Sequence, residues 1–205
     1  MLRFLIIGGG LQGTYISHLL THHLAIPFGR LRVLDEHAEP LAVWRHRTAN
    51  CGMAHLRSPA THNIDLGIMS LHHFTRDQGG PEAGDFIPPY FRPRLSLFND
   101  HCAAVIDRHG LDDLRIRGRA LAVHPITGGL RIETTQGAIE AQRIILALGV
   151  SEPCTPTWVQ TLRKSGAQVR HLFDPQFDRR QVDGDAHRVI VVGGGISAAQ
   201  CALAV

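Results

Sequence analysis

The chain has 205 residues, enough for one domain of ordinary size or one and a fraction. Its apolar share of 44% can build a core, and 19% charged residues is somewhat low but ordinary for a soluble protein. A formal charge of +3, with Lys and Arg scattered rather than blocked, argues against a nucleic-acid partner, while 14 histidines would add positive charge near pH 6.

The first element is the short apolar run Phe4 to Ile7, the pattern of a buried parallel strand. Gly8 to Gly10 break it, and Leu11, Ile16, Leu19 and Leu20 fall near helical spacing, which predicts a helix over 11–22. Leu31 to Leu34 is a second strand that ends at Asp35 and Glu36, so strand, glycine turn, helix and strand form a βαβ unit. From Pro40 to Pro93 the pattern blurs, and the prolines with the "DQGGPEAGD" stretch predict loops with short helices. Helical spacing returns over 94–109. Three strand-like runs follow, over 114–124, 130–134 and 138–148, with Gly128-Gly129 and Gln136-Gly137 as the turns. The expectation is an antiparallel meander over 114–141 lying outside the main sheet. Its last run, "RIILALG", changes from alternating to continuously apolar and is expected to enter a buried parallel sheet. Residues 151–187 are expected as a linker opening at Ser151 to Pro156, and Val189 to Val192 as another buried strand before a second glycine turn.

The glycines carry the chemistry. Gly8, Gly10 and Gly13 fit G-x-G-x-x-G after a strand and at the start of a helix. Gly8 would allow the tight turn, Gly10 the approach of a pyrophosphate, and Gly13 close packing of helix on strand. The helix N-terminus offers free N–H groups and partial positive charge to phosphates. Asp35 or Glu36 stands about twenty residues beyond the motif, where an acid accepts from a ribose hydroxyl. Gly193, Gly195 and Ala198, with Ser197 between them, fit G-x-G-x-x-A directly after "VIVV". A dinucleotide-binding half needs about thirty residues for one βαβ unit, so the stretch before Val205 holds only a strand and the start of a helix.

Cys51, Cys102, Cys154 and Cys201 are widely spaced and form no C-x-x-C, which fits free thiols in a reducing compartment and excludes a dithiol redox pair. His22-His23 and His72-His73 are adjacent pairs, which do not face the same way on a helix. With no third ligand at compatible spacing, no metal site is expected. Arg45 and Arg47 could face a cofactor or simply solvent. No nucleophile–base pair is legible, so no catalytic residue is named. No signal peptide or membrane span is visible, and a cytoplasmic protein is expected.

Two glycine motifs with a β-meander and an "ALG" segment between them resemble the flavoproteins with two dinucleotide-binding domains. In these an FAD domain is interrupted by an NAD(P)H domain. "IILALG" is similar to the segment that closes the FAD site, which implies a cofactor role for Gly149. "VIVVGGGISAAQ" resembles the "VVGGGxSAAE" of FAD- and NADPH-dependent N-hydroxylating monooxygenases acting on lysine or ornithine, with Gln200 where the family has Glu. Trp44 after the acidic strand end is shared, as is a region with Met53, Leu56 and Pro59. "RPRLSLFNDHCAAVI" resembles a family helix, with His101 in place of an aromatic residue.

The resemblance implies an α/β, Rossmann-like FAD-binding domain over 1–150, with parallel sheet and meander. It also implies the start of a second Rossmann-like NAD(P)-binding domain over 188–205, and so the amino-terminal part of a longer flavoprotein or a truncated copy. The implied cofactors are FAD and NADPH, or NADH. The implied chemistry is hydride transfer to the flavin, then oxygenation of an amine-bearing small molecule. The rival from another class is an FAD-binding but catalytically inactive regulatory or interaction protein. A disulfide reductase would need the cysteine pair that is missing. Neither membrane nor nucleic acid is an expected partner, and homo-oligomerisation is left open.

Overall fold

The computed structural model describes residues 1–149, 153–182 and 188–205. In chain order the elements are β1 (Leu2–Ile7), α1 (Leu11–His18) continued by a π-helical turn over Leu19–His23, β2 (Leu31–Asp35), α2 (Ala42–Asn50), α3 (Ser70–Asp77), β3 (Phe86–Ile87), β4 (Arg92–Pro93), α4 (Leu95–Arg108), β5 (Arg115–Arg117), β6 (Ala120–Ile126), β7 (Gly129–Thr134), β8 (Gly137–Leu146), α5 (Thr157–Lys164) and α6 (Ile196–Ala204). They sort into two compact units. One joins Met1–Ala42 to Ala54–Gly149; the other joins Val43–Met53 to the described residues from 153 onward.

The first unit is built on a six-stranded sheet of order β5-β2-β1-β8-β7-β6. β1 is parallel to both neighbours, Ile6 facing Val33 of β2 and Ile145 of β8. β5 adds a parallel edge to β2. β6, β7 and β8 pair antiparallel. The expected meander is therefore present but not outside the main sheet. β8 belongs to both halves: Ala141 pairs with Leu130 of β7 and with Leu2 of β1, and the chain beyond it runs alongside β1. The run expected over 114–124 divides into β5 and β6, because Gly118 breaks it and donates its N–H to Asp35 O at 2.8 Å.

Side chains alternate across a strand, so β1 serves two layers. Leu5 and Ile7 join Leu34, Ile132 and Ala141 in one buried cluster. Ile6, on the other face, is fully buried, and α1 packs against β1 and β2. At the far end of β8 the burial expected for "RIILALG" fails, since Leu146 and Leu148 are 61% and 66% exposed.

The second unit is held differently. Its fully apolar burial is small, with Val159, Cys51 and Cys201 the buried apolar side chains among its described residues. Asn50 is 3% exposed and acts as a clamp. Its Nδ2 donates to Leu172 O at 3.1 Å and Phe177 O at 2.7 Å, and its Oδ1 accepts from Arg179 N at 3.1 Å. Residues 151–187, expected as linker, carry α5 and a 3-10 turn over Arg179–Gln181, although 150–152 and 183–187 lie outside the described residues. The strand expected at Val189 to Val192 is not formed. These residues have no ladder partner among the described residues, and Ile190 and Val192 are 78% and 70% exposed. A strand is a property of a pair, so apolar β-branched residues alone cannot make one.

Candidate functional site

The first glycine turn is fixed by sterics. Gly8 has φ +108°, a region that side chains rarely adopt, and a Cβ there would also overlap the Ala147 carbonyl. Gly8 N–H donates to Leu34 O at 2.8 Å, and Ala147 N–H to Ile7 O at 2.8 Å, so the turn is seated between the ends of β2 and β8. A Cβ on Gly13 would overlap Gly8 O, because α1 begins hard against the turn. Gly10 is the opposite case: nothing among the described residues lies within 4 Å of where its Cβ would be. The backbone around Gly10 is open to a ligand while Gly8 and Gly13 are closed by protein.

Gly10 is also the N-cap of α1. No side chain caps this helix and no acid occupies its first turn. The free amides and partial positive charge of the helix start are therefore left for an anion.

Asp35 ends β2 below this turn. Its Oδ2 accepts from Gly9 N–H at 2.6 Å, and its Oδ1 from His37 N–H at 2.8 Å. The His37 ring and Arg115 Nη2 lie 3.0 and 3.9 Å from Oδ1. Arg115 Nη2 donates to His37 O at 2.7 Å, while Nη1 is buried with no hydrogen-bond partner among the described residues. The carboxylate expected to meet a ribose thus also holds the glycine turn in place. Glu36 is exposed beside it, 3.9 Å from Arg119.

Gly149, with φ +67°, follows β8 in the same unit as Gly8, Gly10, Gly13, Asp35 and Glu36. Trp44 and the second motif belong to the other unit. Trp44 is half-buried on α2, and Arg47 lies over the Phe173 ring at 5.4 Å. Gly193 has φ +142°, and Gly195 is the uncapped start of α6, accepting from Ala198 N–H at 3.0 Å. Ser197 hydrogen-bonds the Cys51 thiol, whose pKa is raised chiefly by burial. All four cysteines are free.

Sequence reasoning missed Gly9, Ala147 and Arg115. Gly9 was legible only as part of a triple glycine; a Cβ there would press on the Asp35 carboxylate at 3.1 Å. The expectation of no metal site rested on spacing along the sequence; in the fold His22 meets His18 and His109, whereas His72 stacks on Phe86 at 4.7 Å. A serine–histidine contact also emerges, but it is no nucleophile–base pair. Ser70 Oγ donates its one proton to Asp65 Oδ2 at 2.5 Å. It must then accept from His101 Nε2–H at 2.9 Å.

The family model for FAD-NAD(P)-binding proteins matches residues 5–151. The chain belongs to this FAD-NAD(P)-binding family. A second family model, for L-lysine 6-monooxygenase and L-ornithine 5-monooxygenase, matches residues 119–205. No curated protein matches by sequence. Among solved structures, an oxidized steroid monooxygenase bound to NADP is similar at TM-score 0.55 and 15% identity, covering 76% of this chain and 27% of that one. A closed form of cyclohexanone monooxygenase gives 0.51 and 16%, covering 77% and 28%. An FAD-bound form of OTEMO gives 0.51 and 13%, covering 74% and 26%. At these identities the likeness concerns the fold of this FAD-NAD(P)-binding chain, which spans little more than a quarter of each of those chains. Among the described residues no helix is long and apolar enough to cross a membrane.

Proposed function

We propose that the chain binds FAD at the first glycine turn and forms part of a flavin monooxygenase acting on an amine-bearing small molecule. The observation that carries the reading is the contrast within one motif. Gly8 and Gly13 are sealed by protein, and Gly10 faces open space at an uncapped helix start. That cradle suits a pyrophosphate. Asp35 keeps the Gly9 amide from turning outward, which leaves the α1 amides as donors to phosphate. Glu36, exposed and 3.9 Å from Arg119, and Arg115 Nη1, without a hydrogen-bond partner among the described residues, are the polar groups beside Asp35 that would meet the ribose side. Trp44 and Gly149 are assigned to the same cofactor by the resemblance. Gly193, Gly195, Ser197 and Ala198 are assigned to the reduced nicotinamide dinucleotide, with α6 offering its start to phosphate. The match of residues 119–205 to lysine and ornithine monooxygenases supports the amine as substrate class. Bound FAD would supply hydride acceptance from NAD(P)H and activation of oxygen; the protein supplies placement.

The test is Gly10→Val. A branched side chain in the open space should leave the fold intact and weaken FAD binding about 100-fold or more, roughly 2.7 kcal/mol. Equal FAD uptake by variant and parent overturns the assignment. Anaerobic mixing of the FAD-loaded chain with NADPH separates the rival reading. Bleaching at about 1 per second or faster shows a working enzyme and overturns the rival reading, whereas the 205-residue chain alone is expected to keep its flavin absorbance.

A further inference from the structure

The end of α1 remote from the glycine turn gathers three imidazoles. His18 and His22 are four residues apart, so they share one helix face. His109, at the C-cap of α4, reaches the same place. Its ring centroid lies 4.2 Å from that of His18 and 4.6 Å from that of His22. One ligand nitrogen from each ring lies within 4.8 Å of the other two.

The hydrogen bonds fix which nitrogens are free. His18 Nδ1 lies 3.3 Å from Ile64 O, which can only accept, so Nδ1 carries the proton. Thr21 Oγ1 donates its single proton to Ser17 O at 2.8 Å. Its 2.8 Å contact with His22 Nδ1 therefore requires that nitrogen to donate as well. Both rings are left with Nε2 as a lone pair, oriented from behind by a protein acceptor. This is the arrangement that orients ligating histidines.

Electrostatics point the same way. Burial first, and for His109 the two neighbouring rings next, hold the pKa of His18 and of His109 below the ordinary histidine value, so both are neutral donors. Asp65 Oδ1 lies 3.9 Å from His18 Nδ1 and supplies negative charge behind the ring. The carboxyl end of a helix favours a cation. Arg108, beside His109, opposes this but is exposed to water. His18 is 1% exposed whereas His22 faces solvent, so an ion has a route in.

We propose that His18, His22 and His109 form a binding site for one divalent transition-metal ion of the zinc class, with water as the remaining ligand. Zn–N bonds of about 2.0–2.1 Å set tetrahedral ligand nitrogens about 3.4 Å apart. The rings would draw together by side-chain rotation, tying α1 to α4. At about 1.5 Å per residue, the site lies roughly 12–18 Å along the helix from Gly10. It is independent of the nucleotide reading.

The test is titration of the chelator-stripped 205-residue chain with Co2+ and then Zn2+. The expected result is one equivalent of Co2+ with tetrahedral d–d absorption, displaced by Zn2+. His22→Ala, at an exposed position, and His109→Gln should each weaken Zn2+ binding about tenfold or more, with FAD uptake unchanged. His23→Ala should bind as the parent does. The proposal is overturned if the parent takes up neither ion at about 1 mM, or if His22→Ala binds as tightly as the parent.

Discussion

The two glycine motifs share a grammar and differ in setting. At the first, β1 is paired on both sides, and the turn is fixed by Leu34 O, Ala147 and Asp35. At the second, the helix start and the positive φ of Gly193 are present, but Val189 to Val192 pairs with nothing among the described residues. Local sequence is enough to set a glycine turn and begin a helix. The strand that aims the turn is supplied by its neighbours.

The largest effect that would test this contrast is at the glycines themselves. Gly13→Val should unfold the first unit or cost about 4 kcal/mol or more, since backbone must move to relieve the overlap with Gly8 O. Gly194→Ala, with nothing among the described residues within 4 Å, should change stability by about 0.5 kcal/mol or less. Urea unfolding followed by far-UV circular dichroism measures both, and equal effects would remove the distinction.

The apolar runs before the two turns give the next comparison. Ile6→Ala empties a fully buried position and should cost about 3 kcal/mol, within the usual 2–5 range. Ile190→Ala, at 78% exposure, should cost about 0.5 kcal/mol or less. A large loss at Ile190 would mean that its strand is paired in solution.

Acid should separate the regions next. The histidines with depressed pKa, His18, His101 and His109, all belong to the first unit. Burial pushes His101 down to about 4. The unfolded chain therefore takes up a proton near pH 6.5 that the fold resists. Stability is fully present above pH 6.5, falls as pH drops, and levels off below about 4. The total is on the order of 3 kcal/mol for His101, with His18 and His109 adding in the same direction. Both tryptophans, Trp44 and Trp158, lie in the second unit. Circular dichroism should thus report acid loosening before tryptophan fluorescence does. His101→Gln should shrink the loss between pH 6.5 and 4.5 in the first signal; an unchanged slope would remove His101 as its source.

A smaller loss than at Gly13, Ile6 or His101 is expected at the carboxylate beneath the first turn. Asp35→Asn keeps an acceptor for Gly9 N–H but removes the charge assistance, and should cost about 1–2 kcal/mol in urea unfolding.

Much of the first site was legible in the sequence because its demands are steric and local. A turn needs Gly8, a packed helix start needs Gly13, and an acid at the end of β2 follows about twenty residues on. What the sequence hid depends on distant partners. Ala147 and Arg115 come to the turn from the ends of strands whose pairing is non-local. His109 joins His18 and His22 through the packing of α4, and no spacing rule covers such a gap. The meander's place in the main sheet was legible only in part: the change of "RIILALG" from alternating to apolar points β8 into the parallel sheet, where it runs along β1, but alternation does not show that β7 and β6 extend that same sheet. Val189 to Val192 erred in the other direction, because composition suggested a strand and no partner stands beside it among the described residues.

The double life of β8 also sets an order of events. β7 and β8 are joined by a tight turn at Gln136 and Gly137, so their hairpin can close on a timescale of about 1–10 μs. The pairing of Leu2 with Ala141 brings together residues from opposite ends of the first unit. That long loop closure is entropically costly and slow. During synthesis β1 therefore leaves the ribosome long before its second neighbour exists, with one edge unpaired and its turn not yet seated on Ala147. The hairpin β7-β8 would act as the latch: once formed, it captures the waiting β1, and only then does the chain gain a rigid first glycine turn.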